Sequence, residues 1–188
     1  MKIDDRQICR YLRLYGRQPG PALEGRIKAM REAAIPAMRP ARTWRRFEDV
    51  FIAGGRDSKS LAKHLKGCHA VYLLCATIGA TFDALQRRTA ARSPSDAFVL
   101  QAIGAAAIEA LVDDTELEMQ RELAEGESLV QRYSPGYGDY PLDAQRRLLA
   151  LLDAPRTVGV SLTDALVMAP SKSVSAIIGV TRKDVGNG

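Results

Sequence analysis

The sequence feature that most constrains the fold is a nearly unbroken apolar run at residues 70–78, AVYLLCATI. Apolar runs of this length with β-branched and aromatic members are typical of a buried strand, because a half-buried strand alternates apolar and polar residues. Gly79 ends the run, and a helical pattern follows as far as Arg92. The sequence therefore predicts a buried strand that leads directly into a helix.

Helical patterns also lie before and after this unit. Asp4 or Asp5 caps a helix that reaches about Leu14, and a second helix over Pro21–Ala37 completes an N-terminal helical hairpin. After the strand and its helix, a long helix is predicted over Asp96–Glu125, with a small, apolar first half and an acidic second half. The chain is therefore expected to be rich in helix.

Further strands are expected on both sides of the central one. Residues 43–52 are predicted to be extended or irregular, and residues 157–180 to form short strands around a turn. The fold class is therefore mixed α/β (α+β), with central strands and long helices. We expect a single domain over residues 1–188, with a helical N-terminal part at residues 1–40 and a core at residues 68–182.

The sequence predicts neither a membrane-spanning segment nor a signal peptide. The longest apolar run, Ala102–Val112, is interrupted by Glu109 and is too short to span a bilayer. The first ten residues, MKIDDRQICR, lack the apolar core of a signal peptide. We therefore expect a cytoplasmic protein that does not contact a membrane.

Metal and hydrolase sites are also not expected. The three cysteines are odd in number and form no C-x-x-C, so they predict neither a disulfide framework nor a zinc site. His64 and His69 have no Cys, Asp or Glu at ligand spacing, and neither has the neighbours of a catalytic triad. The sequence also contains no phosphate-binding loop.

Charge is distributed unevenly along the chain. Residues 1–94 carry 19 Lys or Arg and eight Asp or Glu, whereas residues 95–188 carry eight and 14. The densest basic segment, Arg39–Phe47, includes an aromatic residue. A basic surface fits a nucleic acid, an acidic protein or an anionic cofactor, and charge alone does not choose among them. Nucleic-acid binding therefore stays open as an alternative, without a recognised motif to support it.

Residues 132–141, RYSPGYGDYP, form the segment with the most recognition chemistry. Its prolines and glycines exclude a helix and predict a shaped loop. Arg132 at its start can hold a carboxylate through two parallel hydrogen bonds, which lysine cannot do. The alternative is an ordinary ion pair with Glu125, Glu127 or Asp139, and a loop whose aromatic residues only cover the core.

Glu109 is the second unusual polar residue. It lies in the small, apolar stretch AIGAAAIEALV, and no basic residue three or four positions away can pair with it. Because a buried lone carboxylate is costly, a positive or hydrogen-bonding partner is expected. Glu109 therefore either faces a ligand or points to solvent from the polar edge of a buried helix.

Two segments together resemble a known family. RYSPGYGDYPLDAQ at residues 132–145 and VSLTDALVMAPSKSVSAIIGV at residues 160–180 follow the paired pattern R-x-x-P-G-Y and L-T-[DE]-x-x-x-M-x-P-x-x-S-V-S. This pattern is similar to that of the reactivation domain of cobalamin-dependent methionine synthase. The upstream LCATIGATFDAL and AAIEAL also resemble stand-alone members of that family, which extends the resemblance to most of the chain.

The resemblance implies a function in methionine biosynthesis. It implies a domain that binds S-adenosylmethionine and presents its methyl group to cobalamin held by a partner, the core of a split methionine synthase, with a flavodoxin-like electron donor. The chain would be part of a methyltransferase only as the methyl-donor-binding subunit. The alternatives are an activator of another corrinoid methyltransferase and a noncatalytic binding module that kept the fold.

The resemblance also implies roles for single residues. Arg132 would hold the methionine carboxylate, the backbone at Ser134 would contact the adenine, Gly136 would also bind the ligand, and Tyr137 would lie at the methyl path as the catalytic residue. The acids expected near the ligand's positive end are Glu109, Asp4 and Glu127, with Glu125 as the alternative to Glu127. A tyrosine that the family supplies from further along its chain has no counterpart at Gly186 or its neighbours.

Overall fold

The structure, a computed structural model, describes residues 1–182. Within these residues the chain forms seven α-helices, one 3₁₀ turn at Ile35–Ala37 and six strands. The helices are α1 (Asp5–Tyr11), α2 (Pro21–Ala34), α3 (Lys59–His64), α4 (Ala80–Arg92), α5 (Pro94–Glu122), α6 (Ala144–Leu151) and α7 (Ala154–Thr157). The strands are β1 (Ala41–Phe47), β2 (Cys68–Thr77), β3 (Glu127–Leu129), β4 (Ser161–Leu162), β5 (Met168–Ala169) and β6 (Ser173–Arg182).

Four of the strands form one antiparallel sheet. Its order is β1-β2-β6-β3, so the two ten-residue strands β2 and β6 lie at the centre. In the register of the central pair, Leu73 lies opposite Ile177 and Leu74 opposite Ala176. The remaining strands, β4 and β5, pair with each other as a small antiparallel hairpin.

Both faces of the central sheet are covered, which explains the unbroken apolar run of β2. Tyr72 and Leu74 face a core formed with α1, α2, α4 and α5, and Leu73 and Cys75 face a second core formed with α3, α6 and α7. Successive side chains of a strand point to opposite faces, so a strand covered twice must be apolar at every position. The predicted buried strand is confirmed, and the mixed helix and sheet class is confirmed with it.

Helix α5 is the central helix of the first core. By length and composition it is apolar enough to cross a membrane, but its apolar side chains pack against α1, α2, α4 and the sheet. Gly104 lets α4 approach closely, because a Cβ at this position would lie 2.6 Å from the ring of Phe82. The apolar character of α5 is therefore accounted for by packing inside the protein.

The C-terminal part of the sequence prediction is wrong in one respect. Residues 157–180 were expected to give only short strands, and β4 and β5 are indeed two residues each. However, β6 extends over ten residues in the middle of the sheet, and Ser175 to Val180 are all buried. Central strands lose the alternation from which half-buried strands are recognised, so the pattern understated its length.

Candidate functional site

The loop at residues 132–141 is confirmed as a shaped, ordered connection. Tyr133 exchanges two backbone hydrogen bonds with Ile177 of β6, each 2.8 Å long. Gly136 and Gly138 have φ angles of +91° and +54°, a conformation that favours glycine. Tyr140, at the far end, is 1% exposed and belongs to the second core. The sheet edge and the core therefore fix the loop at both ends.

Asp139 fastens the same loop to the start of α3. Its carboxylate accepts hydrogen bonds from the Ser58 hydroxyl at 2.5 Å, the Lys59 amide at 2.9 Å and the Ser60 amide at 3.0 Å, and also from the Ser60 hydroxyl. The hydroxyls of Ser58 and Ser60, together with the backbone amides, hold the pKa of Asp139 well below its usual range. Asp139 therefore has a structural role and does not pair with Arg132.

Arg132 pairs with three acids of α5, none of them an acid predicted as its ion-pair partner. Its Nη2 donates to Glu109 Oε2 at 2.6 Å, and its Nη1 donates to Asp113 Oδ1 at 2.9 Å and to Glu116 Oε1 at 2.7 Å. Burial opposes the charge of the guanidinium, but Glu116 and the other acids outweigh it and raise the pKa of Arg132. Glu109 therefore points neither into the core nor freely to solvent, because its carboxylate accepts a hydrogen bond from Arg132 of the loop.

Beside this pair lies a cleft of about 200 Å³ between α5 and the N-terminus. We call it the acidic cleft; four of its side chains are carboxylates and one is a lysine. The cleft is lined by Lys2, Asp4, Gln7, Ala106, Glu109, Ala110, Asp113 and Asp114. Its small walls come from the alanines of α5, and its charge favours a cationic ligand.

Asp4 reaches the acidic cleft although it is far from α5 in sequence. It caps α1, and its carboxylate accepts a hydrogen bond from the amide of Arg6 at 2.9 Å. Helix α1 packs against α5, which brings this cap next to Glu109. Three of the predicted site residues, Asp4, Glu109 and Arg132, are therefore brought together.

A second pocket, of about 290 Å³, lies where the two segments of the sequence pattern meet. We call it the serine pocket. At its floor the nearly buried Gln145 donates to the carbonyl of Leu166 at 3.4 Å and accepts from the Ser175 hydroxyl at 3.5 Å. Apolar walls around a few polar groups are typical of small-molecule sites. The pocket is lined by Ser134, Pro135, Leu142, Gln145, Leu166, Met168, Ser173, Val174 and Ser175.

Gly136 and Tyr137 follow Ser134 and Pro135 of the serine pocket in sequence but are not among its lining residues. A Cβ on Gly136 would lie 3.3 Å from Leu142, which lines the pocket. Tyr137 is 58% exposed, and its ring meets that of Tyr133 edge to face at 5.7 Å between centroids. An exposed aromatic ring held by a second ring is available for contact with a ligand or a partner surface.

Glu127 lies apart from both cavities. Its side chain is 1% exposed, and its carboxylate accepts hydrogen bonds from Arg46 at 2.8 and 2.9 Å, with His69 Nε2 at 2.8 Å. Arg182 lies 3.4 Å away, and the amide of Ala124 donates to the same carboxylate. These groups use the oxygens of Glu127 fully, so we do not place Glu127 in the proposed site.

Two of the four arginines in the basic segment at residues 39–47 pair with acids, whereas Arg45 is exposed. Arg42 pairs with Glu118 of α5 at 2.6 Å, Arg46 pairs with Glu127, and Arg39 donates to the carbonyls of Pro36 and Met38. Guanidinium groups held in this way are less available to phosphates. The structure therefore gives the nucleic-acid alternative no added support.

The analysis of the sequence missed Asp113 and Glu116. With Glu109 they occupy positions i, i+4 and i+7 of α5, the spacing that places side chains on one face of a helix. This signal was present in the sequence, whereas their shared partner, Arg132, lies 16 to 23 residues further along the chain. Gly186 lies outside the described residues.

Larger cavities of about 440 to 510 Å³ lie along α1 and α2. Their linings include Cys9, Gln18 and Arg31, with charges of both signs. Among the described residues that line them, none is a predicted site residue. Size alone therefore does not select the candidate site, and the convergence of polar groups at the acidic cleft and the serine pocket does.

Of the comparisons with known proteins, the family model covers part of this region. Residues 107–184 match the family model described as vitamin B12 dependent methionine synthase, activation domain. No curated protein matches the chain. A crystal structure of the MetH reactivation domain bound to AdoHcy is similar with a TM-score of 0.49 at 21% identity; the match covers 63% of this chain and 41% of that chain.

The matched segment contains the second half of α5 with Glu109, the loop that begins at Arg132, and the strands that line the serine pocket. The match includes both segments of the paired pattern, whereas LCATIGATFDAL at residues 74–85, which extended the resemblance, lies outside it. The predicted resemblance is confirmed: over residues 107–184, this chain is similar to the activation domain of vitamin B12 dependent methionine synthase.

Proposed function

We propose that residues 1–188 act as one domain that binds S-adenosylmethionine, with the amino acid end at the acidic cleft and the adenosine end at the serine pocket. The observation that carries the proposal is the placement of Arg132 and Ser134. They start the same fixed loop, one at each cavity, and two residues of extended chain span about 7 Å. One elongated ligand can therefore lie along the loop and reach both.

The charge of the acidic cleft supports the placement of the ligand's amino acid end there. S-adenosylmethionine carries a sulfonium, an ammonium and one carboxylate, so its net charge is positive. The four acids of the acidic cleft outnumber the three cations beside them, which are Lys2, Arg132 and the N-terminal ammonium that pairs with Asp114 at 3.0 Å, and the remaining negative charge favours such a ligand. Arg132 is the guanidinium that can take the carboxylate.

The second pocket supports the adenosine end. Its apolar walls, Leu142, Leu166 and Met168, suit the faces of a flat heterocycle, and the backbone at Ser134 and the polar floor suit its edge. Gly136, next in sequence to Pro135 of the pocket, has no side chain and lets a ligand approach the backbone closely. We assign the exposed Tyr137 to the methyl path.

The family match extends the proposal to a reaction. We propose that the domain reactivates a cobalamin-dependent methionine synthase whose corrinoid is held by a partner, and that a flavodoxin-like protein supplies the electron. The corrinoid would accept the methyl group, and neutral S-adenosylhomocysteine would remain. The described residues of this chain would supply binding, orientation and electrostatics.

Ligand binding is tested by a thermal-shift titration with S-adenosylmethionine, alongside S-adenosylhomocysteine. At about a hundred times the dissociation constant, a ligand adds about 2.7 kcal/mol, which raises the Tm of a chain of this size by about 5 to 10 °C. We expect a saturable shift for both ligands, with tighter binding of the methylated one because the cleft is acidic. The absence of a shift at millimolar concentrations of both would contradict the proposed function.

A matched variant separates site binding from unspecific stabilisation. Glu109→Gln keeps the size of the side chain and removes one charge from the cleft. We expect it to weaken the binding of both ligands, since both carry the ammonium, and that of S-adenosylmethionine more, since only this ligand also carries the sulfonium. Unchanged affinities for both ligands would remove Glu109 from the positive end of the ligand.

A further inference from the structure

The two terminal nitrogens of Arg132 have different partners. Nη1 contacts Asp113 at 2.9 Å and Glu116 at 2.7 Å, whereas Nη2 contacts Glu109 alone at 2.6 Å. The side chains of Glu116 and Arg132 are 24% and 26% exposed, so this contact is well shielded from water. One edge of the guanidinium is thus held by two acids and the other by one.

We propose that Asp113 and Glu116 are positioning residues that hold Nη1 of Arg132, and that the Glu109 contact at Nη2 is the pair that an incoming ligand replaces. This inference rests on the proposed function and names how its amino acid end is recognised. The ligand's ammonium would take the Glu109 carboxylate, and the ligand's carboxylate would take Nη2. Every charge then keeps an opposite partner, and no proton changes place.

The geometry of α5 makes this division of roles possible. Glu109, Asp113 and Glu116 lie on one face of a long helix that is packed into the first core, so their backbone positions are fixed. A guanidinium is planar, and holding one of its nitrogens restricts the direction in which the others donate. Glu109 and Asp113 both line the acidic cleft, where the ligand would arrive, but Asp113 shares Nη1 with Glu116, which is not among the lining residues.

Replacement of the Arg132–Glu109 contact determines which ligands the site selects. Only a ligand that carries both an ammonium and a carboxylate can replace the Arg132–Glu109 contact and give new partners to both Nη2 of Arg132 and the Glu109 carboxylate. An unpaired buried or half-buried charge costs more than the lost contact alone. We therefore expect the site to select ligands with a complete amino acid group, and 5′-methylthioadenosine, which lacks this group, to bind without contacting Arg132.

The test compares two ligands on one variant. In Glu116→Gln, we expect the affinity for S-adenosylhomocysteine to fall about tenfold, because the guanidinium is less well oriented. The affinity for 5′-methylthioadenosine should stay the same, since this ligand does not reach Arg132. Both are measured by calorimetry on the full chain, with competition against S-adenosylhomocysteine for the weaker ligand.

Glu118→Gln is the matched control. It makes the same change on the same helix and breaks the ion pair with Arg42, but it does not touch Arg132. We expect it to leave both affinities unchanged. Asp113→Asn provides a second variant with the same expectation as Glu116→Gln, in case one substitution prevents folding.

The outcomes are distinct. Unchanged affinity for S-adenosylhomocysteine in both variants, or an equal loss for both ligands, would overturn the positioning role while the proposed function stands. Failure of the unaltered protein to bind S-adenosylhomocysteine or S-adenosylmethionine would overturn the proposed function and this inference with it. A loss confined to the ligand with the amino acid group supports the inference.

Discussion

Arg132→Ala is expected to weaken S-adenosylmethionine binding by about a hundredfold. The substitution removes the only guanidinium that contacts the acids of the cleft among residues 1–182, and with it the group proposed to hold the ligand's carboxylate. Hydrogen bonds to charged groups contribute about 1.5 to 3 kcal/mol, and 1.4 kcal/mol corresponds to a factor of ten in affinity. Calorimetric titration of the variant measures the loss directly.

The same substitution is also expected to affect the fold. A loop residue considered alone has little packing to lose, but Arg132 neutralises Glu109, Asp113 and Glu116, which would repel one another without it. We expect a loss of about 2 kcal/mol in the free energy of unfolding. Binding is therefore measured well below the Tm of the variant, with circular dichroism to check that it is folded.

Arg132→Lys is the control for charge. It keeps the positive charge but cannot contact the acids of α5 and a ligand carboxylate with a planar fork at once. Compared with Arg132→Ala, we expect the lysine variant to regain more of the lost free energy of unfolding than of the lost ligand affinity. If the alanine variant binds S-adenosylmethionine with the same affinity as the unaltered protein, Arg132 is not part of the binding site.

Glu127→Gln is expected to give the largest loss of stability, about 3 kcal/mol. The carboxylate is 1% exposed and is shared by Arg46, His69 and Arg182, so the substitution leaves positive groups without their partner. Removing one partner of a buried ion pair typically costs 3 to 5 kcal/mol, and an amide retains some of the hydrogen bonds. For a chain of this size the expected fall in Tm is about 6 to 12 °C, measured by thermal unfolding.

The pH dependence of this loss follows from the pKa of Glu127. The hydrogen bond from Arg46, with smaller contributions from His69 and the Ala124 amide, outweighs burial and holds the pKa of Glu127 well below its ordinary value. A folded-state pKa that is lowered contributes its stability above the unfolded pKa, about 4.3, and loses it as the pH falls below that value. The difference between the two proteins should therefore be full at pH 7 and shrink below about pH 4.

Glu125→Gln is the matched control, since it makes the same change two residues away at an exposed position. We expect it to alter stability little at any pH. A Glu127→Gln variant as stable as the unaltered protein at pH 7 would show that the buried cluster does not stabilise the fold. Equal losses in the two variants would point to the net charge of the protein instead.

The central strand and the helices were predictable because their signals are local. The apolar run of β2 and the serine that starts α5 each act within a few residues, and both elements begin within two residues of the prediction. The length of β6 was not predictable in the same way. Its buried positions depend on pairing with β2, about a hundred residues away in sequence.

Local sequence signals also predicted one part of the candidate site and not the other. The loop at residues 132–141 and the exceptional setting of Glu109 were visible in the sequence, and the structure joins them through Arg132. The role of Glu127 was not visible, since β3 pairs with β6 and brings Glu127 opposite Arg182. Charged residues that become partners through sheet pairing cannot be recognised from local sequence spacing. Residues on one helix face, such as Asp113 and Glu116, can be recognised in this way.

The most direct test of the central claim is a crystal structure of the protein with S-adenosylhomocysteine bound. We expect the ligand's carboxylate within about 3 Å of Arg132 Nη2, its ammonium at Glu109, and its adenine in the serine pocket beside Ser134. The Arg132–Glu109 contact should be open in this complex, and the contacts of Arg132 with Asp113 and Glu116 should remain. A ligand bound elsewhere, or bound with the Arg132–Glu109 contact intact, would contradict the account.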